Sequence, residues 1–241
     1  MGAYAVAKIA DKLIEDFAGS VVERWSRYRA RRFINALASG IAQGAIGEAE
    51  VRERIDKTLA DEKKSEALFE AYRRVCLAAS RDVGPRVIGF LMAKLLAEGR
   101  TASDHEERLM MAAETLTDGE FQAFVGFLHK LNAADSDPKT RDSTIWIEQH
   151  WETVDDSGLS RGGIDLAPLN LADSHGTWAL KLAAAGILAQ QVRQTHHPYH
   201  ADSDRHIDED GVTIKYTWYV GADRAFAGFL DLLDVASRTD E

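Results

Sequence analysis

Residues 66–98 read EALFEAYRRVCLAASRDVGPRVIGFLMAKLLAE, and the spacing in this stretch decides the fold class. Leu68, Phe69, Tyr72, Val75, Cys76 and Ala79 recur at three- and four-residue steps, the period of one buried helix face. Val87 to Leu96 is apolar on most sides, so a second helix is expected to lie deep. Between the two stands Asp82-Val83-Gly84-Pro85. Gly84 can close the first helix, and Pro85 can open the second because a first helical residue has no use for its N–H. Paired helices of this kind predict a mainly α protein with a multi-helix N-terminal domain.

On the N-terminal side, residues 3–43 read as one long helix or two collinear ones. Val6, Ile9, Leu13, Phe17, Val21 and Trp25 form its apolar stripe. Arg24, Arg27, Arg29, Arg31 and Arg32 fall within nine residues, beside Trp25 and Tyr28. A basic aromatic cluster suits nucleic acid or an anionic lipid surface, and Arg24, Arg27, Arg31 and Arg32 are the candidate contacts. The bland reading is a solvated helix face whose arginines pair with nearby acids. Gly40, Gly44 and Gly47 loosen the end of this segment, and a helix from Glu48 to Leu59 is expected next.

Two helix starts follow on the C-terminal side. Ser103 with Glu106, and Thr117 with Glu120, are capping boxes, which predict helices over 104–116 and 118–131. Leu109, Met110, Ala113 and Leu116 form the first inner face; Phe121, Phe124, Val125 and Leu128 form the second. The polar run 133–143, AADSDPKTRDS, marks a module boundary. The expected division is a helical domain over 1–135 and a small α/β module over 144–241. In that module Ile145–Trp151 reads as short helix or strand and 155–170 as loop. A helix over 174–185 ends at Gly186, two β-prone runs cover Ile187–Arg193 and Val212–Val220, and a last helix runs from Asp223 to Val235. Phe226, Phe229, Leu230 and Leu233 are expected to pack that last helix on the hairpin.

The order helix, KLAAAGIL, strand, loop, strand, helix resembles the back half of a winged-helix domain. Lys181, Leu182, Gly186, Ile187 and Leu188 carry the likeness, matching the Leu-x-x-x-Gly-Ile/Leu turn before the β-hairpin wing. It covers about 60 residues, and no family is matched by residues 1–140. Members of that family read DNA or bind proteins. Here residues 174–241 hold six cations, Lys181, Arg193, Arg205, Lys215, Arg224 and Arg238, against ten acids. The helix that would read DNA has Lys181 alone, so the resemblance implies protein binding.

The totals narrow the function classes. The chain has 241 residues with a formal net charge of −10, from 29 Lys+Arg against 39 Asp+Glu, a balance that repels phosphate backbones at long range. Cys76 is the one cysteine, so no intramolecular disulfide can form, and a reducing bacterial-type cytoplasm is the expected location. No run approaches the roughly 20 apolar residues of a membrane span, and Lys8, Asp11, Lys12, Glu15 and Asp16 interrupt the order of a signal peptide. Cys76 has no His or Asp partner nearby and reads as a buried structural residue rather than a nucleophile. His105 and His129 stand alone on helices.

The densest cluster of metal-ligating types is His196–Asp210, with four histidines among five acids. It lacks the ligand spacing of a zinc motif or an EF-hand loop, and reads as a charged wing loop. No cofactor and no catalytic residue are predicted. The expectation is a non-enzymatic interaction or adaptor protein. Its platform would be helical, and Trp146, Trp151 and Trp218 would be exposed for a protein partner or self-association. The alternatives are a nucleic-acid-binding regulator using Arg24–Arg32, and a metal-dependent enzyme at His196–Asp210. Peripheral membrane contact through residues 3–32 is a variant of the first.

Overall fold

The computed structural model describes residues 24–42, 50, 53, 56–57, 60–134, 144–155, 171–199 and 211–238. The expected stripe from Val6 to Val21, Gly44 and Gly47, the apolar positions Val51, Ile55 and Leu59, and the segments 135–143, 156–170 and 200–210 lie outside them. Among the described residues Glu50, Glu53, Asp56, Lys57 and Ala60 are helical, and the helices with described bounds that come first are α1 (Arg24–Ala42), α2 (Glu62–Leu77), α3 (Val83–Glu98), α4 (Asp104–Thr115) and α5 (Asp118–Ala134). Strand β1 (Thr144–Asp155), short helices α6 (Leu171–His175) and α7 (Thr177–Ala184), and strands β2 (Leu188–Tyr199) and β3 (Gly211–Asp223) follow. A 3-10 turn (Arg224–Phe229) and helix α8 (Leu230–Ser237) end the described chain. The protein is therefore mainly helical with one small antiparallel sheet, as the sequence predicts.

The chain forms two compact units, Met1–Leu128 with Ala225–Glu241, and His129–Arg224. This differs from a division into 1–135 and 144–241. The first cut falls inside α5, and the last helix belongs with the helical unit instead of the sheet.

In the first unit α3 is the central rod. Val83, Val87, Ile88, Leu91, Met92, Ala93 and Leu95 are all buried, which is what an all-round apolar helix requires. Gly89 lets α1 approach it: a Cβ there would stand 2.5 Å from the Phe33 carbonyl oxygen and 2.8 Å from the Ala36 Cβ. Gly40 likewise faces Ala93, so it serves helix contact within α1 rather than loosening its end. Gly89→Ala should therefore cost about 1–3 kcal/mol through overpacking against backbone. Gly126, exposed in mid-α5, has nothing within 4 Å of its would-be Cβ. Gly126→Ala should instead gain about 0.5–1 kcal/mol from helix propensity. Urea melts of the two variants should move in opposite directions.

Two details of the 66–98 stretch differ from expectation. Helix α2 buries Leu68, Ala71 and Val75, with Ala78 just past its end. Phe69 is 62% exposed and Leu77 60%. Small alanines, not the bulky Phe69, mark the contact line, because they let helices come close. Also, α2 stops at Leu77, so Gly84 and Pro85 lie within the first turn of α3; Gly84 is buried beneath the Ala113 carbonyl.

A carboxylate from another helix secures the start of α3. Asp118 Oδ1 accepts from the Val83 N–H at 2.8 Å, the Asp82 N–H at 3.1 Å and the Ser80 hydroxyl at 2.5 Å, and Oδ2 accepts from the Arg81 N–H at 3.1 Å. Ser80 Oγ accepts in turn from the Gly84 N–H at 2.7 Å. These are the donors a helix start leaves unpaired. At the other end of the chain, the buried Arg86 donates through Nη1 to the carbonyls of Ala236 and Arg238. That contact satisfies acceptors at the end of α8 and ties α8 to α3.

Both predicted capping boxes form. Ser103 Oγ accepts from the Glu106 N–H, and Glu106 Oε2 accepts from the Ser103 N–H at 2.9 Å. Thr117 and Glu120 repeat the pattern. Glu106 is more than a cap: although 1% exposed, it takes both Arg100 terminal nitrogens at 2.6 and 2.7 Å. The Arg100 hydrogen bonds, opposed by burial and aided by Ser103, lower its pKa from 4.5 to about 2. A depressed folded pKa adds stability above pH 4.5 that is lost as pH falls toward 2. The shift corresponds to roughly 2–3 kcal/mol after allowance for the solvent around Arg100. Glu106→Gln should remove that amount at pH 7 and flatten the acid limb of stability between pH 4.5 and 2, read by urea melts across that range.

Within the second unit the strand order is β1-β3-β2, all antiparallel. Ile145–Trp151, ambiguous from sequence, is strand. The helix expected over 174–185 is two helices, because Gly176 adopts φ +103°, outside helical space. Gly186 at φ +68° forms the predicted left-handed end of α7. The predicted last helix is also displaced: β3 runs to Asp223, and the 3-10 turn intervenes before α8.

Candidate functional site

The arginine cluster divides on the surface of α1. Arg32 Nε lies 2.8 Å from Asp82 Oδ1 and its Nη2 donates to the Tyr28 hydroxyl at 2.8 Å. Tyr28 itself donates to Asp82 at 2.7 Å, while Arg32 and Arg81 flank its ring at 5.1 and 4.6 Å. Arg29 donates to the Cys76 carbonyl at 3.2 Å. Arg32 and Arg29 thus fasten α1 to the α2–α3 turn. Arg27 and Arg31, one helical turn apart, are exposed. The Arg24 side chain, like that of Trp25, lies outside the described residues. Of the four predicted contacts, Arg27 and Arg31 are exposed, and Arg32 holds α1 to the α2–α3 turn.

The other sequence candidates are dispersed. Cys76 is half-buried rather than in the core. Its neighbour Tyr72 has a phenol pushed up to about 12, by burial first and then by the thiol, which removes it as a base at neutral pH. His105 stacks edge-on to Phe226 at 5.3 Å, and His129 is exposed. His196 and His197 pair with Ile214 and Thr213 along β2–β3; their side chains and residues 200–210 lie outside the description. Among the described residues no three His, Cys, Asp or Glu side chains converge in a group that could hold a metal ion. No described helix is long and apolar enough to cross a membrane.

The aromatic expectation also needs correction. Trp218 is 9% exposed and Trp146 half-buried. Trp146 lies across Gly221, its partner in the β1–β3 register, where a Cβ would meet the indole. One part of its indole covers a glycine in the sheet, and the Trp151 side chain lies outside the described residues.

Another surface of the second unit is more open. Trp178, Ala179 and Leu182 turn α7 inward, and Trp178 stands 6.1 Å from the His175 ring in an edge contact. Burial, then the charge of Lys130, lowers the His175 pKa from 6.5, so its imidazole is neutral at pH 7. On the opposite face, Thr177, Leu180 and Ala184 are exposed, Leu180 to 46%. Their steps of three and four residues put them in one line. Next in the chain, Ala189–Arg193 of β2 are exposed at every position. Alternate strand residues point to opposite faces, so both faces of this edge strand meet solvent. Arg193 is held over the Tyr219 ring at 5.2 Å. The sequence marked a helix ending at Gly186, but not which of its residues would face inward or what its outer line would present.

Compared with protein-family models, curated proteins and solved structures, the chain matches none.

Proposed function

We propose that the protein is a non-enzymatic interaction protein whose second unit is a winged-helix-like module used to bind a protein. One observation carries this reading: the outer line of α7 is Thr177, Leu180 and Ala184, with exposed Leu180 at its middle and Lys181 beside it as the helix's single cation. A helix that tracks nucleic acid presents cations along such a line. A helix that binds protein presents few charges at the centre of its patch, and here that centre is the apolar Leu180. The order α6, α7, β2, β3 and the left-handed Gly186 turn support the winged-helix-like part. The open edge of β2 adds a second surface where an extended segment of a partner could pair. Leu180→Asp, in the full chain, should abolish partner capture while leaving the thermal melt unchanged, because Leu180 packs little.

Exposed Arg27 and Arg31 keep one alternative in view, contact with nucleic acid through α1. Its test is a gel shift at low salt, repeated in Arg27→Ala/Arg31→Ala. The interaction reading predicts no shift in either; steeply salt-dependent binding lost in the double variant would favour the regulator instead.

A further inference from the structure

β2 stands at one end of the order β1-β3-β2, so no described strand pairs with its outer side. Its residues Ala189–Arg193 are all exposed, and the pairing with β3 runs without a bulge from Leu188 to Tyr199. Such an edge offers a row of backbone N–H and C=O groups to another strand. Proteins that keep an edge single place lysine, proline or a bulge on it. The run Ala189-Gln190-Gln191-Val192-Arg193 has none of these. Its one charge, Arg193, is held over the Tyr219 ring of the same sheet.

The distribution of charge favours a second copy of the chain as the other strand. Each copy has a net charge of −10, yet residues 174–201, which include α7 and β2, contain no Asp or Glu. Two acidic chains repel at long range, and an acid-free surface is where they can meet. An edge made for an acidic foreign segment would carry several cations, and one made for a basic segment would carry acids; this edge does neither. The exposed run is also self-complementary. Turned antiparallel about Gln191, it sets Gln191 against its own copy, Val192 against Gln190 and Arg193 against Ala189, so no like charges stand opposite each other. We infer that β2 pairs antiparallel with β2 of a second copy around a two-fold axis at Gln191, joining the two three-stranded sheets into one. This rests on the reading of the second unit as a protein-binding module and names the partner of its β2 edge.

The test is light scattering on the full chain and on two charge variants at the axis. The unaltered chain is expected at twice the chain mass at micromolar concentration. Gln191→Lys and Gln191→Glu each set like charges against each other across the axis, and each should weaken the dimer at least tenfold. Their circular dichroism should not change, because position 191 is exposed. An equimolar mixture of the two variants should dimerise again, since Lys then faces Glu; pairing with a foreign strand gives no such rescue. A monomer at every concentration would overturn the inference, as would a dimer equally stable in all three chains, or a mixture no tighter than either variant alone. A monomer that still captures a protein through Leu180 would end this inference and keep the protein-binding reading.

Discussion

Phe226→Ala should lower stability by about 3–5 kcal/mol, the range for deleting a buried aromatic side chain. Phe226 is fully buried in the 3-10 turn before α8, edge-on to His105 and 6.3 Å from the Phe229 ring. It fixes the returning chain to the helical unit together with Leu230, Leu233 and Ala236, which are buried on α8. Phe229, expected from sequence to be the core residue, is half-exposed with the Lys94 ammonium 5.7 Å above its ring. Phe229→Ala should accordingly cost less than half as much. Exposed Asp231→Ala should stay within about ±0.5 kcal/mol. At about 2–4 °C per kcal/mol for a chain of this size, the Phe226 variant should melt roughly 10 °C lower. Equal small shifts for all three would mean that the last helix is not docked on the helical unit.

Asp118→Ala should be the second most damaging change, at about 3 kcal/mol. One carboxylate serves the Ser80 hydroxyl and three successive backbone N–H groups at the start of α3. An ordinary cap deletion costs about 0.5–2 kcal/mol. Here Ser80 is fully buried and Val83 nearly so, and stranded buried donors raise the cost. Burial alone would raise the pKa of Asp118, but the Ser80 bond and the backbone N–H groups outweigh it and hold the pKa below its ordinary value. The contribution is therefore present above the normal carboxylate range and lost as pH falls through it. Asp118→Asn keeps one acceptor oxygen and should lose less, and its deficit should shrink on acidification. Urea melts at pH 7 and pH 3 on both variants check this; an Asn variant as damaged as Ala at both pH values would contradict the assigned role.

How far the chain could be read from its letters depended on what each feature encodes. Ser103–Glu106 and Thr117–Glu120 are local devices, complete within four residues, and both are where the spelling puts them. The depth of α3 follows from its composition alone. The phase of α2 does not, because Phe69 outweighs Ala71 on any hydrophobic count while close packing prefers the alanine. Gly40, Gly84 and Gly89 look alike in sequence, and only the neighbouring helix shows that they are points of close approach. Asp118 and Ser80 lie 38 residues apart, so their joint capping of α3 is invisible to any local pattern. The same holds for Arg32 and Asp82, which turn one of the four candidate contacts into a fastening. Residues 223–235 carry a helical apolar period, but that period is silent on which unit they close against. The candidate interaction line on α7 was the least legible part, because sequence reports which residues a helix hides more readily than what its exposed side is for.

The most direct test places a photo-crosslinking amino acid at Leu180, with a control at exposed Asp173, in the full-length protein inside its own cells. The protein-interaction account predicts one discrete protein adduct at position 180, either a second copy of the chain or one other protein, and little at position 173. No protein adduct at 180, with crosslinked nucleic acid recovered in its place, would contradict it.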